Sequence, residues 1–166
     1  MKDTAGYDQR YFDMGLLPGG EAAAIWLDNR EAVNAEGSTL YFAVTAGRNG
    51  FRDAKPVAAT VCPCCRTKMY VSANGDIHLA YRDIINDSIR DMVHQLSADG
   101  GKTFSTPVRI SADNWVVNGC PHTGPSLTAN SKGLHFSWFT MGGGQGAFYC
   151  RSADNGNTLT QKESLG

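Results

Sequence analysis

The strings Ser97-Ala98-Asp99-Gly100-Gly101-Lys102-Thr103-Phe104 and Ser152-Ala153-Asp154-Asn155-Gly156-Asn157-Thr158-Leu159 decide the reading of this chain. They stand 55 residues apart and carry Ser, Ala, Asp, Gly and Thr in the same places. Repetition at a fixed spacing marks a fold built from stacked copies of one supersecondary unit. The chemistry within each string is that of a tight loop. The Asp carboxylate can accept backbone N–H groups across the turn, and Gly101 and Gly156 supply a positive φ that side chains resist. Phe104 can then fold back onto its strands, and Leu159 keeps the apolar contact without the ring.

Upstream of each string lies an alternating strand with an aromatic residue: Tyr81 in the run from Ile77, and Trp138 in the run from Leu134. Trp26, in Ala24-Ile25-Trp26-Leu27-Asp28, stands 55 residues before Tyr81 and marks a third copy. A second strand follows each of these, at Leu40 to Val44, Asp91 to Gln95 and Ala147 to Arg151, and leads into the octapeptide or its place. In the first copy that place holds Thr45-Ala46-Gly47-Arg48-Asn49-Gly50-Phe51, which has lost its Asp. The chain therefore reads as one all-β segment over residues 1–166. It is expected to form about three four-stranded blades of a β-propeller, with units at about 20–60, 61–115 and 116–166.

The pattern Ser-x-Asp-x-Gly-x-Thr-aromatic resembles the Asp box of the sialidase superfamily, also called the bacterial neuraminidase repeat, and the resemblance covers most of the chain. It implies a sialidase-like propeller whose boxes sit on the blade rim, away from the ligand face. Ser97, Asp99, Gly101, Thr103 and Phe104, with Ser152, Asp154, Gly156 and Thr158, are then structural residues. Such propellers close with six blades. Three blades would leave two open faces, so the expected partner is a second copy of the chain, a homodimer completing the ring, with a fragment of a longer propeller as the alternative.

Two cysteine motifs stand at equivalent places in adjacent units: Val61-Cys62-Pro63-Cys64-Cys65-Arg66-Thr67 and Gly119-Cys120-Pro121-His122-Thr123-Gly124-Pro125. Each precedes what should be the innermost strand of its blade, where side chains converge on the propeller axis. Cys62, Cys64, Cys65, Cys120 and His122 are thus candidate ligands of a soft cation, zinc or copper, since thiolates and an imidazole make a tetrahedral site. A disulfide from Cys120 to one of the others and simple packing remain as alternatives. Cys150 lies outside both motifs and reads as a packing residue. The CPCCRT and GCPH strings, with the boxes, also look like a group of sialidase-like bacterial propeller proteins of unassigned function, which implies a shared site without identifying its ligand.

Composition excludes other classes. Fifteen Lys plus Arg against sixteen Asp plus Glu give a net charge of -1 with no block of like charge, so neither nucleic acid nor an anionic membrane is an expected partner. The longest uncharged stretches, 114–131 and 133–150, are rich in Asn, Ser, Thr and Gly, and no transmembrane helix is expected. Lys2 and Asp3 follow Met1 without an apolar run, so no signal peptide is read in the chain as given. The resemblance nevertheless implies a soluble periplasmic or secreted protein.

Sialidases clamp the substrate carboxylate with three arginines and use a Tyr/Glu pair and an Asp, and a first arginine usually sits in an Arg-Ile-Pro motif. No Arg-Ile-Pro occurs here. Arg66, Arg82 and Arg90 are the candidate arginines, Asp28, Asp83 and Asp91 the candidate carboxylates, and Glu31 and Glu36 occupy a loop able to overhang a ligand face. Arg82-Asp83 also reads as a strand-end ion pair. Trp115 either stacks on a sugar or caps its blade. His78, His94 and His135 sit at strand positions shared between units and read as structural. The expectation is a non-catalytic binding protein with a metal site or disulfide at the channel mouth. The alternative is an exo-sialidase-like hydrolase or a glycan-binding module in which Arg66, Arg82, Asp83 and Trp115 meet the sugar.

Overall fold

A computed structural model of the protein describes residues 8–30 and 36–166. Among them are twelve strands and no α-helix: β1 (Arg10–Leu16), β2 (Ala22–Asp28), β3 (Ser38–Thr45), β4 (Phe51–Val61), β5 (Lys68–Val71), β6 (Ile77–Ile85), β7 (Ile89–Ser97), β8 (Val108–Arg109), β9 (Ser126–Asn130), β10 (Gly133–Thr140), β11 (Gly146–Ser152) and β12 (Glu163–Ser164). Glu31, placed by the sequence in an overhanging loop, lies outside the described residues. No helix among the described residues is long and apolar enough to cross a membrane.

All pairing among the described strands is antiparallel, and within each meander it follows chain order. β1 to β4 form one meander, β5 to β8 a second and β9 to β12 a third. The first two are joined into one sheet at a single register pair, Val61 with Asp83. The third is a separate sheet. Side-chain alternation shows why the meanders stack. On β10, Leu134, Phe136, Trp138 and Thr140 are buried while His135, Ser137 and Phe139 are only half-buried, which is the two-residue period of a strand with one covered face. On β6 both sets are buried, because the second meander is covered on one face by the first meander and on the other by the third.

Two apolar layers result. Ile25, Leu27, Leu40 and Phe42 meet Ile77, Leu79, Tyr81 and Val93 between the first and second meanders. Ala80, Met92 and Ile110 meet Leu134, Phe136, Trp138 and Cys150 between the second and third. Cys150 is fully buried in this second layer, and burial pushes its thiol up to about 12.

The two octapeptides form loops with one hydrogen-bond pattern. Ser97 Oγ donates to Asp99 and accepts from the Gly101 N–H, while Asp99 accepts from the Thr103 N–H and hydroxyl. Ser152, Asp154, Gly156 and Thr158 repeat every one of these bonds. Both glycines have positive φ, and a Cβ on Gly101 would overlap the Phe42 ring, as one on Gly156 would overlap His94. Each loop therefore also seats a ring of the preceding meander.

Candidate metal centre

The cysteine turn forms where β4 ends. Cys62 donates its N–H to the Arg82 carbonyl at 2.8 Å, and the Cys65 N–H returns to the Cys62 carbonyl at 3.3 Å, which closes a four-residue turn around Pro63. Thr67 then anchors the chain to β1 through the Tyr11 carbonyl at 2.7 Å before β5 begins. The turn points its three sulfurs inward. Cys62, Cys64 and Cys65 are all buried, with Ile84 packed against them, and their Sγ atoms lie within 4.8 Å of one another. The Cys62 and Cys64 sulfurs are 3.6 Å apart.

The second motif arrives ahead of β9 and docks on the first. Gly124 packs so closely on Arg66 that a Cβ there would overlap the Arg66 carbonyl. Cys120 and His122 approach Cys64, but the Cys120 sulfur stands outside the group formed by Cys62, Cys64 and Cys65. Cys120 is exposed. His122 has a φ of 54° and is exposed as well, and its imidazole likewise stands outside the sulfur group. The structure thus gathers the three thiols of the first motif and packs the second motif beside them, with all of these cysteines unbridged.

Charge is distributed unevenly over the thiols. Hydrogen bonding from Cys65, then from Cys64, together with the nearby Arg90 charge, holds Cys62 well below the usual thiol range, at about 5. Burial first, then the nearby Cys120 thiol, push Cys64 up to about 12, and the neighbouring Cys62 together with burial push Cys65 up as well. Arg90 places Nη1 3.6 Å from the Cys62 sulfur while its Nε donates to the Val117 carbonyl at 3.1 Å.

Arg82 and Trp115, expected at a ligand face, are instead interior. Arg82 is 1% exposed and donates to the carbonyls of Arg90 and Phe139 and to the Thr123 hydroxyl. Its guanidinium lies 4.9 Å from the Trp115 ring. Trp115 is 8% exposed and meets Phe139 edge-on, held there because buried Asp91 accepts its backbone N–H. Neither offers a free face to a sugar. The Arg82-Asp83 ion pair also fails, since successive strand residues point to opposite sides. Asp83 accepts from the Thr60 hydroxyl and the Ile84 N–H, and burial raises its carboxyl. Asp83 is half-buried, and Arg66 is exposed beside a depression of about 180 Å³ lined by Tyr11, Asp13, Lys68 and Pro125. Arg90 is one of the three candidate clamp arginines in the sequence, and its place beside the cysteine turn has no sequence signal, because the two lie 28 residues apart.

The site fits a thiolate-bound cation. Tetrahedral bonds of about 2.3 Å to a central zinc place sulfurs about 3.8 Å apart. The Cys62–Cys64 separation of 3.6 Å already matches that edge. Buried Arg82 Nε has no hydrogen-bond partner among the described residues, and its charge acts on Cys65.

No protein-family model matches the chain, and no curated protein matches it in sequence. Solved structures do match in fold. An N-acetylgalactosamine deacetylase from F. plautii, solved with blood group B trisaccharide, is 13% identical with a TM-score of 0.59 over 99% of this chain and 54% of its own. An α-L-arabinanase from Penicillium chrysogenum, complexed with arabinobiose, is 18% identical at a TM-score of 0.63, over 95% and 50%. An α-L-arabinofuranosidase from Fusarium graminearum is 12% identical at 0.65, over 96% and 50%. The likeness is to a propeller-like all-β fold of glycosidases. The chain spans about half the length of these three proteins.

Proposed function

We propose that the chain is a three-bladed segment of a sialidase-like propeller that binds a soft metal ion, zinc or Cu(I), through Cys62, Cys64, Cys65 and Cys120, and does not hydrolyse sialosides. The observation that carries this reading is the group of three buried sulfurs of Cys62, Cys64 and Cys65, all within 4.8 Å of one another, with the second motif packed beside them through Gly124 on Arg66. Cys62, Cys64 and Cys65 supply the preorganised wall, and exposed Cys120 supplies the fourth donor and the side from which the ion enters. Arg90 and Arg82 offset the negative charge that four thiolates bring to a divalent ion. Against catalysis, the Arg82 fork is occupied by protein acceptors and Arg90 faces sulfur and a carbonyl, which leaves no arginine triad.

Metal analysis of protein purified under reducing conditions is expected to give about one zinc or copper per chain. A cobalt-substituted sample should show the intense absorption of tetrahedral thiolate coordination. Cys62→Ser and Cys64→Ser should abolish binding, Cys120→Ser should weaken it, and His122→Ala should leave it intact. Metal-free protein that takes up neither zinc nor cobalt would end this reading. No turnover of a fluorogenic sialoside is expected, and turnover lost on Arg66→Ala would reverse the non-catalytic part.

A second reading, a glycan-binding module, is favoured by one feature. The depression beside Arg66 combines Tyr11 with charged Asp13 and Lys68 at the surface, a pairing of aromatic body and polar groups suited to a sugar. The solved neighbours with bound trisaccharide and arabinobiose add fold-level support.

A further inference from the structure

Each meander has a leading face, turned toward the meander before it in sequence, and a trailing face turned toward the next. Two such contacts exist within the chain and they are built alike. The trailing face of β1 to β4 presents Phe42, which is seated against Gly101 of the following octapeptide loop. The trailing face of β5 to β8 presents His94 at the corresponding place, seated against Gly156 and edge-on to Phe136 at 5.5 Å. His94 is also joined to His78 by a 3.0 Å hydrogen bond between ring nitrogens.

The trailing face of β9 to β12 repeats this construction. Tyr149 stands where Phe42 and His94 stand, and His135 stands where His78 stands. The pair is again hydrogen-bonded, His135 Nδ1 to Tyr149 Oη at 2.7 Å, with stacked rings. Here, however, both rings are only half-buried. At the other end of the molecule, the leading face of β1 to β4 is also uncovered. Phe12, Met14 and Leu16 of β1 are 79%, 55% and 71% exposed, in alternation along one side of the strand. Beside them opens a cavity of about 490 Å³ lined by Phe12, Met14, Ala24, Trp26, Gly50 and Phe51. Gly50 and Phe51 lie in the segment that replaces the octapeptide in the first unit, at the start of β4, so the cavity borders the place that corresponds to where Gly101 and Gly156 seat their rings.

We infer that a second copy of the chain docks here, with the Tyr149 and His135 face of each copy on the Phe12, Met14 and Trp26 face of the other. Size matching supports the pairing. Where the smaller His94 meets Phe136, the larger Tyr149 would meet Ala24, the residue equivalent to Phe136 in the first unit. Head-to-tail contacts of this kind close into a two-fold dimer when the turn per meander is right. This inference does not depend on the metal reading.

Light scattering coupled to size exclusion, at concentrations from 1 to about 100 μM, is expected to give twice the 17.9 kDa chain mass. Met14→Arg and Tyr149→Ala should each weaken the dimer by about 100-fold or more while the protein keeps its far-ultraviolet spectrum. A mixing experiment fixes the geometry without relying on a destabilising change. Chains carrying Asn49→Cys and chains carrying Tyr149→Cys should form an interchain disulfide between the introduced thiols when mixed, identified by peptide mapping. Neither should cross-link through its introduced thiol alone. A monodisperse monomer with a cooperative melt would overturn the inference. So would self-cross-linking through position 49, which would mean a face-to-face dimer, or a polydisperse sample, which would mean that a different segment covers these faces.

Discussion

His94 illustrates how one buried side chain links packing to pH. It lies in the layer between the second and third meanders, and burial first, then the neighbouring His78, lowers its imidazole from 6.5 to about 4. A base with a depressed folded-state value leaves stability unaffected above 6.5, where both states are neutral. As pH falls from 6.5 toward 4 the unfolded chain takes up a proton that the folded one refuses, and stability drops by about 3 kcal/mol in all. His78 is lowered for the same first reason and adds in the same direction. Urea titrations at pH 7 and pH 4.5 should show the loss, and His94→Gln should shrink the difference between the two. An unchanged difference would mean that the imidazole is not the titrating group. Arg82 shows the opposite case, a charge kept interior because its guanidinium bonds are made to two carbonyls and a hydroxyl. Nothing in an alternating strand announces that an arginine will turn inward, so its structural role was not legible in the sequence.

At the scale of elements, the spacing of the octapeptides could be read from the chain, and the loops they form are hydrogen-bonded alike. What could not be read is that each glycine also serves the neighbouring meander, because that contact depends on stacking rather than on local turn chemistry. Gly156 makes the point testable. Its φ is 90°, and its missing side chain leaves room for the His94 ring. Gly156→Ala combines backbone strain with an overlap and is expected to destabilise by about 2 kcal/mol or more. The pH-dependence attributed to His94 should weaken as its ring is displaced. Thermal melts of Gly156→Ala against Gly146→Ala would check this, because Gly146 also has positive φ but open space around it. Equal losses would reduce the effect to backbone strain alone. The cysteine motifs divide similarly. Their equivalent spacing pointed to a meeting of the two, whereas the turn of His122 away from the sulfurs follows from its left-handed backbone, which sequence spacing does not reveal.

For the whole molecule, the all-β class was legible because glycine-bounded alternating runs leave no stretch with a helical period. The two uncovered faces were implied only by the small number of units. Their chemistry, apolar on β1 and aromatic-polar on β10 and β11, became readable once the two covered faces showed what each position meets. The pairing pattern described for the three meanders carries one more consequence. Among the described residues no strand of the third meander pairs with the first, and the first two share one register pair. A chain emerging from the ribosome can therefore complete each meander from residues already synthesised, before the next has appeared. The delayed step is the docking of finished sheets on one another, so the order of translation and the order of assembly coincide.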